Sequence, residues 1–376
     1  MNIEFQKQFI AKNELKYINE YLQFDRKIAS KKFHAKCEKS LHTFLKTPQV
    51  YLTSSCTASL EVACLLAGFK TDDEVIVPSY TFSSTANAIA LRGAVPVFVD
   101  VKSSTLNLNE DLVEQAITKK TKAIIAVHYA GISCNMNALK RLAKKYNLLL
   151  IEDAAQGLGA SYFGKPLGTI GDFGAISFHQ TKNIHCGEGG AFIFQDKDNT
   201  GIAAQIIEKG TNRLDMIKGE VAKYQWLRLG SSYVLSELQT ALLAAQLEDT
   251  LEVTSKRRNI WQDYFERLNK LAVSGKLTLP SIEPGSTING HIFYILVDKH
   301  YCRETIVRNL ARNGVHAQTH YEPLHLSPAG QNFGRLSGAL CVSEELSKRL
   351  LRLPLWPEMK QNDLDFVVES LETCLI

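Results

Sequence analysis

The sequence around Lys182 suggests that this lysine could take part in chemistry on a bound molecule. It lies in SFHQTKNIHCGEGGA, between the short apolar run at residues 175–178 and a glycine-rich bend. Most lysines are simply solvated. A lysine in a loop between a strand end and a bend can instead be presented to a pocket. The remaining motifs must decide between these two interpretations.

Two carboxylates follow an apolar run in LLLIEDAAQG, where Glu152 and Asp153 come directly after residues 148–151. The carboxyl ends of buried parallel strands form the edge at which open α/β sheets bind ligands. A buried acid is costly unless a cation or hydrogen-bond donor meets it. A ligand contact and a plain helix cap are the two alternatives for Asp153.

A third stretch, TSSCTASLEVACLLAG at residues 53–68, predicts a helix entered through small hydroxyl residues. Free amides at a helix N-terminus bind phosphate well, and a simple Ser/Thr cap is the alternative. Phosphate cradle, carboxylate and lysine together match pyridoxal phosphate (PLP) chemistry. There, a lysine bonds to the cofactor aldehyde and a carboxylate keeps the ring nitrogen protonated. Ser177 could add a hydroxyl to the same phosphate site.

The elements that must position these residues alternate between strands and helices. Apolar runs EVIVPSY, VPVFVDV, KAIIAVHYA and LLLIED predict buried strands, and STANAIALRG, NEDLVEQAI and NMNALKRLAKKYN predict the helices between them. This alternation predicts a mostly parallel sheet covered by helices. From YVLSEL to ERLNK the pattern predicts one long helix. We therefore expect a large PLP-binding domain with an N-terminal helical segment at 1–250 and a small C-terminal domain at 251–376.

Composition excludes several classes of protein. The 376 residues are 45% hydrophobic and 22% charged, with a formal net charge of +4, which is ordinary for a globular protein and does not indicate nucleic acid as a partner. The eight cysteines show no CxxC pair, so neither a zinc site nor a disulfide framework is expected. No apolar run suggests a signal peptide or a membrane span, and the expected location is the cytoplasm.

Two nucleotide-binding signatures are not supported by their contexts. No GxGxxG follows the first strand. Residues 159–165 come close to a P-loop, but Pro166 stands where a magnesium-binding hydroxyl is needed, so we predict a coincidental match. The histidines His179, His185, His320 and His325 lack metal-ligand spacing, and no metal is expected.

Several motifs in fixed order, spread over nearly the whole chain, resemble the DegT/DnrJ/EryC1/StrS family of sugar-nucleotide aminotransferases. They are VPSYTFSSTANA, EDAAQ, SFHQTKN with the following GEGGA, HYEPLH and RLPLWP. The resemblance implies an α/β protein of the type I PLP-dependent aminotransferase fold, working as a homodimer with shared active sites. Its substrates would be a nucleotide sugar and an amino-acid donor.

Within the family, SFHQTKN, EKGTNR, KYQW and GSSYVLSELQ most resemble enzymes that aminate dTDP-4-oxo-6-deoxyglucose. The implied product is dTDP-4-amino-4,6-dideoxygalactose, with glutamate as donor. Formation of the glucose-configured isomer, of a 3-amino sugar or of a UDP-4-amino sugar stays open. A dehydratase of the same family would carry histidine in place of Lys182, and a non-catalytic homologue that binds sugar nucleotide or cofactor is the alternative of another class.

The resemblance also implies roles for individual residues. Lys182 matches the Schiff-base lysine, Asp153 the partner of the pyridine nitrogen, and Gln156 the side chain near the phenolic oxygen. The phosphate-binding residues would be Thr57, Ala58 and Ser177. Phe82 falls where the family stacks an aromatic ring on the cofactor, and core packing is its alternative.

Three further assignments concern the substrate and the partner subunit. Ser232 stands where many members carry an asparagine that reaches the neighbouring subunit's cofactor phosphate. His320 and Tyr321 are candidates for contact with the sugar. RKIASKK at 26–32 replaces a glycine-containing segment of relatives, so the resemblance implies no backbone conformation or substrate contact there.

Overall fold

The computed structural model describes residues 1–23, 32–47 and 49–375. The segment at 26–32, apart from Lys32, therefore lies outside the described residues. The strands are β1 (Val50–Thr53), β2 (Glu74–Pro78), β3 (Val95–Val99), β4 (Thr121–Val127), β5 (Leu149–Asp153), β6 (Ser161–Tyr162), β7 (Lys165–Pro166), β8 (Phe173–Ser177), β9 (Gly190–Phe194), β10 (Leu277–Thr278), β11 (Ser286–Thr287), β12 (Phe293–Val297), β13 (Arg335–Leu336) and β14 (Leu350–Leu353).

The α-helices surround three sheets built from these strands. They are α1 (Glu14–Gln23), α2 (Lys32–Leu45), α3 (Cys56–Leu66), α4 (Ser83–Ala90), α5 (Glu110–Ala116), α6 (Met136–Tyr146), α7 (Thr200–Ile207), α8 (Arg213–Ile217), α9 (Glu237–Glu248), α10 (Thr250–Val273), α11 (Arg303–Arg312), α12 (Pro328–Phe333), α13 (Cys341–Arg349) and α14 (Gln361–Cys374). Within the described part of the chain, no helix is long and apolar enough to cross a bilayer.

The largest sheet has the order β1-β9-β8-β5-β4-β2-β3-β13. Pairing is parallel from β8 through to β13, whereas β9 runs antiparallel to both β8 and β1. The central strands are buried on both faces, as their continuous apolar runs predict. The predicted α/β class with a mostly parallel, helix-covered sheet is confirmed.

Helix starts follow their capping residues. Ser55, Asn109 and Asn135 each accept a hydrogen bond from a first-turn amide of α3, α5 and α6. Such side-chain acceptors satisfy amides that have no partner inside the helix. The helices predicted in these three stretches are therefore confirmed, with bounds within a few residues of the pattern.

The predicted single helix from YVLSEL to ERLNK is wrong, because the structure divides it into α9 and α10 at Asp249. Asp249 has φ −97° and ψ 7°, and its carboxylate accepts the main-chain amide of Lys12 at 3.3 Å. Helical periodicity continues across the break, so the pattern carries no sign of it. The contact that accompanies the break comes from a segment more than 200 residues away.

The C-terminal strands β10, β12 and β14 form a separate antiparallel sheet. Trp261, Tyr264 and Phe293 pack together in its core, and Ile3 from the N-terminus joins them. In contrast, β13 leaves this region and pairs in parallel with β3 of the large sheet. The division into domains at residues 250 and 251 stays a prediction.

The near match to a P-loop at residues 159–165 forms a β-hairpin. β6 and β7 pair in antiparallel register, and Phe163 and Gly164 between them both have positive φ. A two-residue loop with positive φ at both positions suits the twist of a hairpin. No helix begins after it, so the match is coincidental, as predicted.

Candidate active site

A cavity of about 790 Å³ lies at the carboxyl ends of the parallel strands. Its walls include residues at or just after the ends of β2, β4, β5 and β8, which is where an open α/β sheet binds ligands. The cavity brings together most of the predicted site residues: Thr57, Phe82, Asp153, Gln156, Ser177, Lys182, His320 and Tyr321. Ala58 and Ser232 do not line it.

Lys182 reaches the cavity from a compact loop between β8 and β9. Its main-chain amide donates to the carbonyl of His179 at 2.8 Å. At the base of the loop, the amide of Phe178 donates to the carbonyl of Gly189, and the carbonyl of Phe178 accepts the amide of Cys186. The Lys182 amine makes no hydrogen bond with any described residue. Burial lowers the pKa of this amine, and the nearby Asp153 carboxylate opposes the shift. A larger share of the amine is thus neutral than for a solvated lysine.

The two adjacent acids have different surroundings because successive strand residues point to opposite faces. Glu152 is fully buried, is 2.9 Å from Nε2 of His128, and accepts the amides of Gly168, Ile170 and Gly171. These bonds hold the chain between β7 and β8 in place. Asp153 lines the cavity on the other face. Strand alternation therefore separates a structural acid from one available to a ligand.

The carboxylate of Asp153 is held by two donors. Thr85 in α4 donates to one oxygen at 2.7 Å and the amide of Ala155 donates to the other at 3.2 Å. Burial raises the pKa of Asp153, and the Thr85 bond partly offsets that rise. No helix starts at this point, so the helix-cap alternative is wrong. The sequence did not predict this role of Thr85. Its only signal is a hydroxyl in the first turn of a helix that follows a parallel strand.

The N-terminus of α3 opens onto the same cavity. Oγ of Ser55 accepts the amide of Ala58 at 3.0 Å, so this amide is already satisfied by the cap. The Thr57 hydroxyl lines the cavity and is 2.7 Å from Oγ of Ser84. A Cβ at Gly190 would lie 2.4 Å from the main chain of Ser55, so only glycine lets β9 approach the cap this closely.

The side-chain amide of Gln156, in the loop that follows β5, is held in place by hydrogen bonds. Its Oε1 accepts the amide of Ala130 at 2.6 Å and its Nε2 donates to the Tyr321 hydroxyl at 3.2 Å. Asn289 in turn donates to the carbonyl of Gln156. Both ends of the amide thus have partners that determine its orientation.

Aromatic side chains form another wall of the cavity. Phe82 is 57% exposed, so the core-packing alternative for this residue is wrong. Its ring centroid lies 6.1 Å from that of Tyr321. His320 stacks on Tyr321 and its Nδ1 is 2.8 Å from the hydroxyl of Tyr129. Burial lowers the pKa of His320 to about 2, and the Arg352 guanidinium adds to the shift, so His320 is neutral.

The other histidines have partners of their own. His185 contacts the carbonyl of Phe9, whereas His325 contacts the Ser79 hydroxyl and Glu344. His179 lines the cavity beside Thr181. Among the described residues, no group of three or more His, Cys, Asp or Glu side chains is placed to hold a metal ion.

Ser232 lies outside the cavity of its own chain. It is exposed, and its main chain pairs with Glu208 in an isolated bridge. The predicted role of Ser232 concerns a neighbouring subunit, so its assignment stays a prediction. Ala58 likewise keeps only its predicted role at the phosphate turn.

Known proteins are similar to this chain over most or all of its length. UDP-4-amino-4-deoxy-L-arabinose–oxoglutarate aminotransferase of Shewanella sediminis is 32% identical over 351 residues, which cover 90% of this chain and 89% of the relative. The aminotransferase TlmJ of Streptoalloteichus hindustanus has a TM-score of 0.89 at 27% identity, covering 99% and 98% of the two chains. Spr1654 of Streptococcus pneumoniae, described as an inferred sugar aminotransferase and solved in its PLP form, has a TM-score of 0.90 at 25% identity, covering 100% and 99%.

The match to a family is equally extensive. Residues 8–372 match the DegT/DnrJ/EryC1/StrS aminotransferase family. The likeness covers the strand ends, the lysine loop and the C-terminal sheet together. The chain therefore belongs to the DegT/DnrJ/EryC1/StrS family and is a PLP-dependent sugar aminotransferase.

Proposed function

We propose that the enzyme moves an amino group from glutamate to carbon 4 of dTDP-4-oxo-6-deoxyglucose, giving dTDP-4-amino-4,6-dideoxygalactose. The observation that carries the chemistry is the placement of Lys182 and Asp153 in one cavity at the N-terminus of α3. The choice of nucleotide sugar rests on the motifs SFHQTKN, EKGTNR, KYQW and GSSY.

The cavity has the chemistry and size that PLP requires. A volume of about 790 Å³ is ample for the cofactor and part of a substrate. First-turn amides of α3 other than that of Ala58, which the Ser55 cap occupies, suit a phosphate group, and Thr57 and Ser177 add hydroxyls to the cavity lining. The Lys182 amine has no hydrogen-bond partner among the described residues. No cationic group of the described residues is hydrogen-bonded to the buried Asp153 carboxyl. The residues present therefore fit the group.

Lys182 would serve as both the covalent anchor and the proton carrier. When bound, PLP supplies an electrophilic aldehyde and a ring that accepts electrons from the substrate. The lowered pKa of Lys182 favours the neutral amine, which is the form that bonds to an aldehyde carbon and takes up a proton. The same amine would accept the α-proton of the donor and return a proton to the sugar.

Asp153 and Gln156 would set the electronic state and the tilt of the cofactor. The raised pKa of Asp153 shows that its negative charge is costly where it lies. A protonated ring nitrogen next to it would offset that cost and would itself be favoured. Thr85 would act as a positioning residue, because it fixes the carboxylate that would lie beside the ring nitrogen. Gln156, whose amide is fixed at both ends, would present that amide to the ring's phenolic oxygen.

His320 and Tyr321 are proposed to contact the sugar. Both line the cavity, and His320 is neutral, so it can act as a hydrogen-bond donor or acceptor without carrying charge. The stereochemistry at carbon 4 depends on which face of the ketone meets the cofactor amine. Contact differences worth only a few kcal/mol, on the order of 1–3 kcal/mol for a small group, decide such a choice.

The product itself provides the test of the proposed substrate. Incubation with L-glutamate and dTDP-4-oxo-6-deoxyglucose should give the axial, galactose-configured amine at carbon 4. Proton couplings read by NMR check this. A large coupling of the carbon 4 proton to both ring neighbours, or nitrogen at carbon 3, would contradict it. Conversion of a UDP-4-keto pentose alone would place the enzyme with the Shewanella sediminis relative instead.

Two alternatives remain distinguishable by simple measurements. A dehydratase of this family would need histidine at the position of Lys182, which is lysine here. A non-catalytic homologue would bind nucleotide sugar without consuming the amino donor. Loss of the visible absorbance of the purified protein on addition of glutamate would separate a working aminotransferase from both.

We further infer a homodimer in which each subunit completes the other's site. The segment before Ser232 exposes several large apolar side chains, Tyr224, Trp226, Leu227 and Leu229. Trp226 alone is 74% exposed. Several exposed large apolar side chains within one short segment are typical of an interaction site, and the second copy is the occupant that the family resemblance implies. Ser232 would then lie near the partner subunit's cofactor phosphate.

Ser232→Asp tests this arrangement. A carboxylate next to a phosphate is repelled, so we expect cofactor affinity to fall by roughly tenfold, equivalent to about 1.4 kcal/mol. Equilibrium dialysis of the cofactor measures this, and sedimentation should show an unchanged dimer. Ser103→Asp, at an exposed turn elsewhere, is the matched control. Unchanged affinity in Ser232→Asp, or a dimer structure with Ser232 remote from the partner, would refute the assignment.

A reducing compartment is the proposed location. All eight cysteines are free, and Cys37, Cys56, Cys64, Cys134 and Cys186 are buried. Free thiols in this number are typical of cytoplasmic proteins rather than of proteins kept in an oxidising environment.

A further inference from the structure

Arg352 is a cation in the cavity that contacts no carboxylate among the described residues. It belongs to β14 and lines the cavity wall. Its Nε and Nη2 donate to the carbonyl of Thr319 at 3.2 and 2.9 Å, and Nη2 also donates to Oε1 of Gln318 at 3.1 Å. All of these acceptors are neutral. Burial lowers the pKa of Arg352, and only tyrosines oppose that shift.

The orientation of the guanidinium leaves one corner available. The ring of Phe5 covers one face, 4.8 Å from the central carbon. Nε and Nη2 are occupied by Thr319 and Gln318, whereas Nη1 makes no hydrogen bond within the described part of the chain. A guanidinium that is already held on one face and one edge loses little further conformational freedom when a ligand binds. Its remaining donors are thus ready for an acceptor in the cavity.

The same N-terminal segment also supports the lysine loop. Gln6, next to Phe5, donates to the carbonyl of Thr181 at 2.7 Å. Thr181 directly precedes Lys182, so one short segment contacts both the guanidinium and the loop that carries the amine. The positions of the guanidinium and of the lysine loop are therefore both supported by residues that line the cavity themselves.

The electrostatics of the cavity favour an anion near Arg352. The charges of Lys182 and Arg352 both act to lower the pKa of His320 and His291. Asp153 lies in the same cavity, but its oxygens already accept from Thr85 and Ala155. A partly buried guanidinium without a counter-charge is costly, and a ligand carboxylate that forms charge-assisted hydrogen bonds offsets that cost.

We propose that Arg352 binds a carboxylate of the amino donor and thereby makes the first half-reaction selective for amino acids over simple amines. This inference rests on the proposed function. The phosphate end of the site is at α3, around Ser55, Thr57 and Ser84, and none of these residues contacts Arg352. Another anion that could meet the guanidinium is the diphosphate of the nucleotide sugar, and the test separates the two.

The two half-reactions, followed separately on the holoenzyme, provide that test. Loss of visible absorbance with L-glutamate reports the first, and its return when the pyridoxamine form meets the keto sugar reports the second. In Arg352→Gln we expect the glutamate concentration for half-maximal rate to rise by roughly tenfold to a hundredfold, the usual effect of losing a charged hydrogen bond. The sugar half-reaction should stay within about twofold, because the second substrate does not use this contact.

Arg352→Lys retains the charge and should recover part of the lost affinity. Arg312→Gln removes an exposed guanidinium of α11 and is the matched control. Calorimetric binding of glutarate, an unreactive dicarboxylate, should weaken in Arg352→Gln in parallel with glutamate. This readout does not depend on turnover.

Three results would overturn the inference. A loss confined to the sugar half-reaction would assign Arg352 to the nucleotide diphosphate. An equal loss in both half-reactions for both variants would indicate a structural role only. Unchanged kinetics of both half-reactions in Arg352→Gln would show that the guanidinium binds neither substrate. If wild-type enzyme fails to react with any amino acid, the proposed function fails instead, which is a different outcome.

Discussion

Lys182→Ala is expected to abolish transamination. The variant loses both the covalent attachment of the cofactor and the group that carries the proton, so turnover should fall by more than about 10³-fold. The visible absorbance of the bound cofactor should shift to that of the free aldehyde or disappear. Stopped assays of amino-sugar formation and an absorbance spectrum of the purified variant measure these effects.

The fold should survive this change. Lys182 makes no hydrogen bond through its side chain among the described residues, and the loop that carries it is held by main-chain hydrogen bonds. Thermal unfolding by circular dichroism should therefore match that of wild type. Lys140→Ala, on the exposed side of α6, is the control and should keep full activity. Full turnover in Lys182→Ala would show that the assignment is wrong.

Asp153→Asn should leave the cofactor bound but slow turnover by orders of magnitude. The neutral amide keeps the shape of the carboxylate and can still bond to Thr85 and Ala155. It no longer favours a protonated ring nitrogen. An opposite charge in contact with the ring nitrogen would raise its pKa by about 1–3 units, so without that charge the protonated fraction, and with it the rate, should fall by roughly 10- to 10³-fold.

Steady-state turnover and cofactor content, measured on the same preparation, check this prediction. Asp111→Asn, in the exposed first turn of α5, is a matched control that should behave as wild type. If Asp153→Asn turns over at nearly the wild-type rate, then its carboxylate does not act on the ring. If it loses the cofactor altogether, then its main role is to retain the ring rather than to tune it.

Much of the fold could be predicted from local patterns in the sequence. Fully apolar runs such as EVIVP and VPVFV correspond to β2 and β3, because a strand buried on both faces requires apolar side chains at consecutive positions. Ser55, Asn109 and Asn135 mark helix starts through bonds that span only two or three residues. Lys182 and Asp153 were found by the same local logic, since each lies at or shortly after a strand end.

What the sequence could not determine depends on contacts between distant segments. Thr85 reaches Asp153 across 68 positions, Phe5 covers Arg352, and Lys12 bonds to Asp249 at the break between α9 and α10. Glu152 and Asp153 are neighbours with equal side-chain chemistry, and only strand alternation within the sheet separates their surroundings. A pattern encodes which face a residue takes within its own element. The three-dimensional packing of those elements decides which charge meets which partner, because burial and hydrogen bonding are properties of the assembled site.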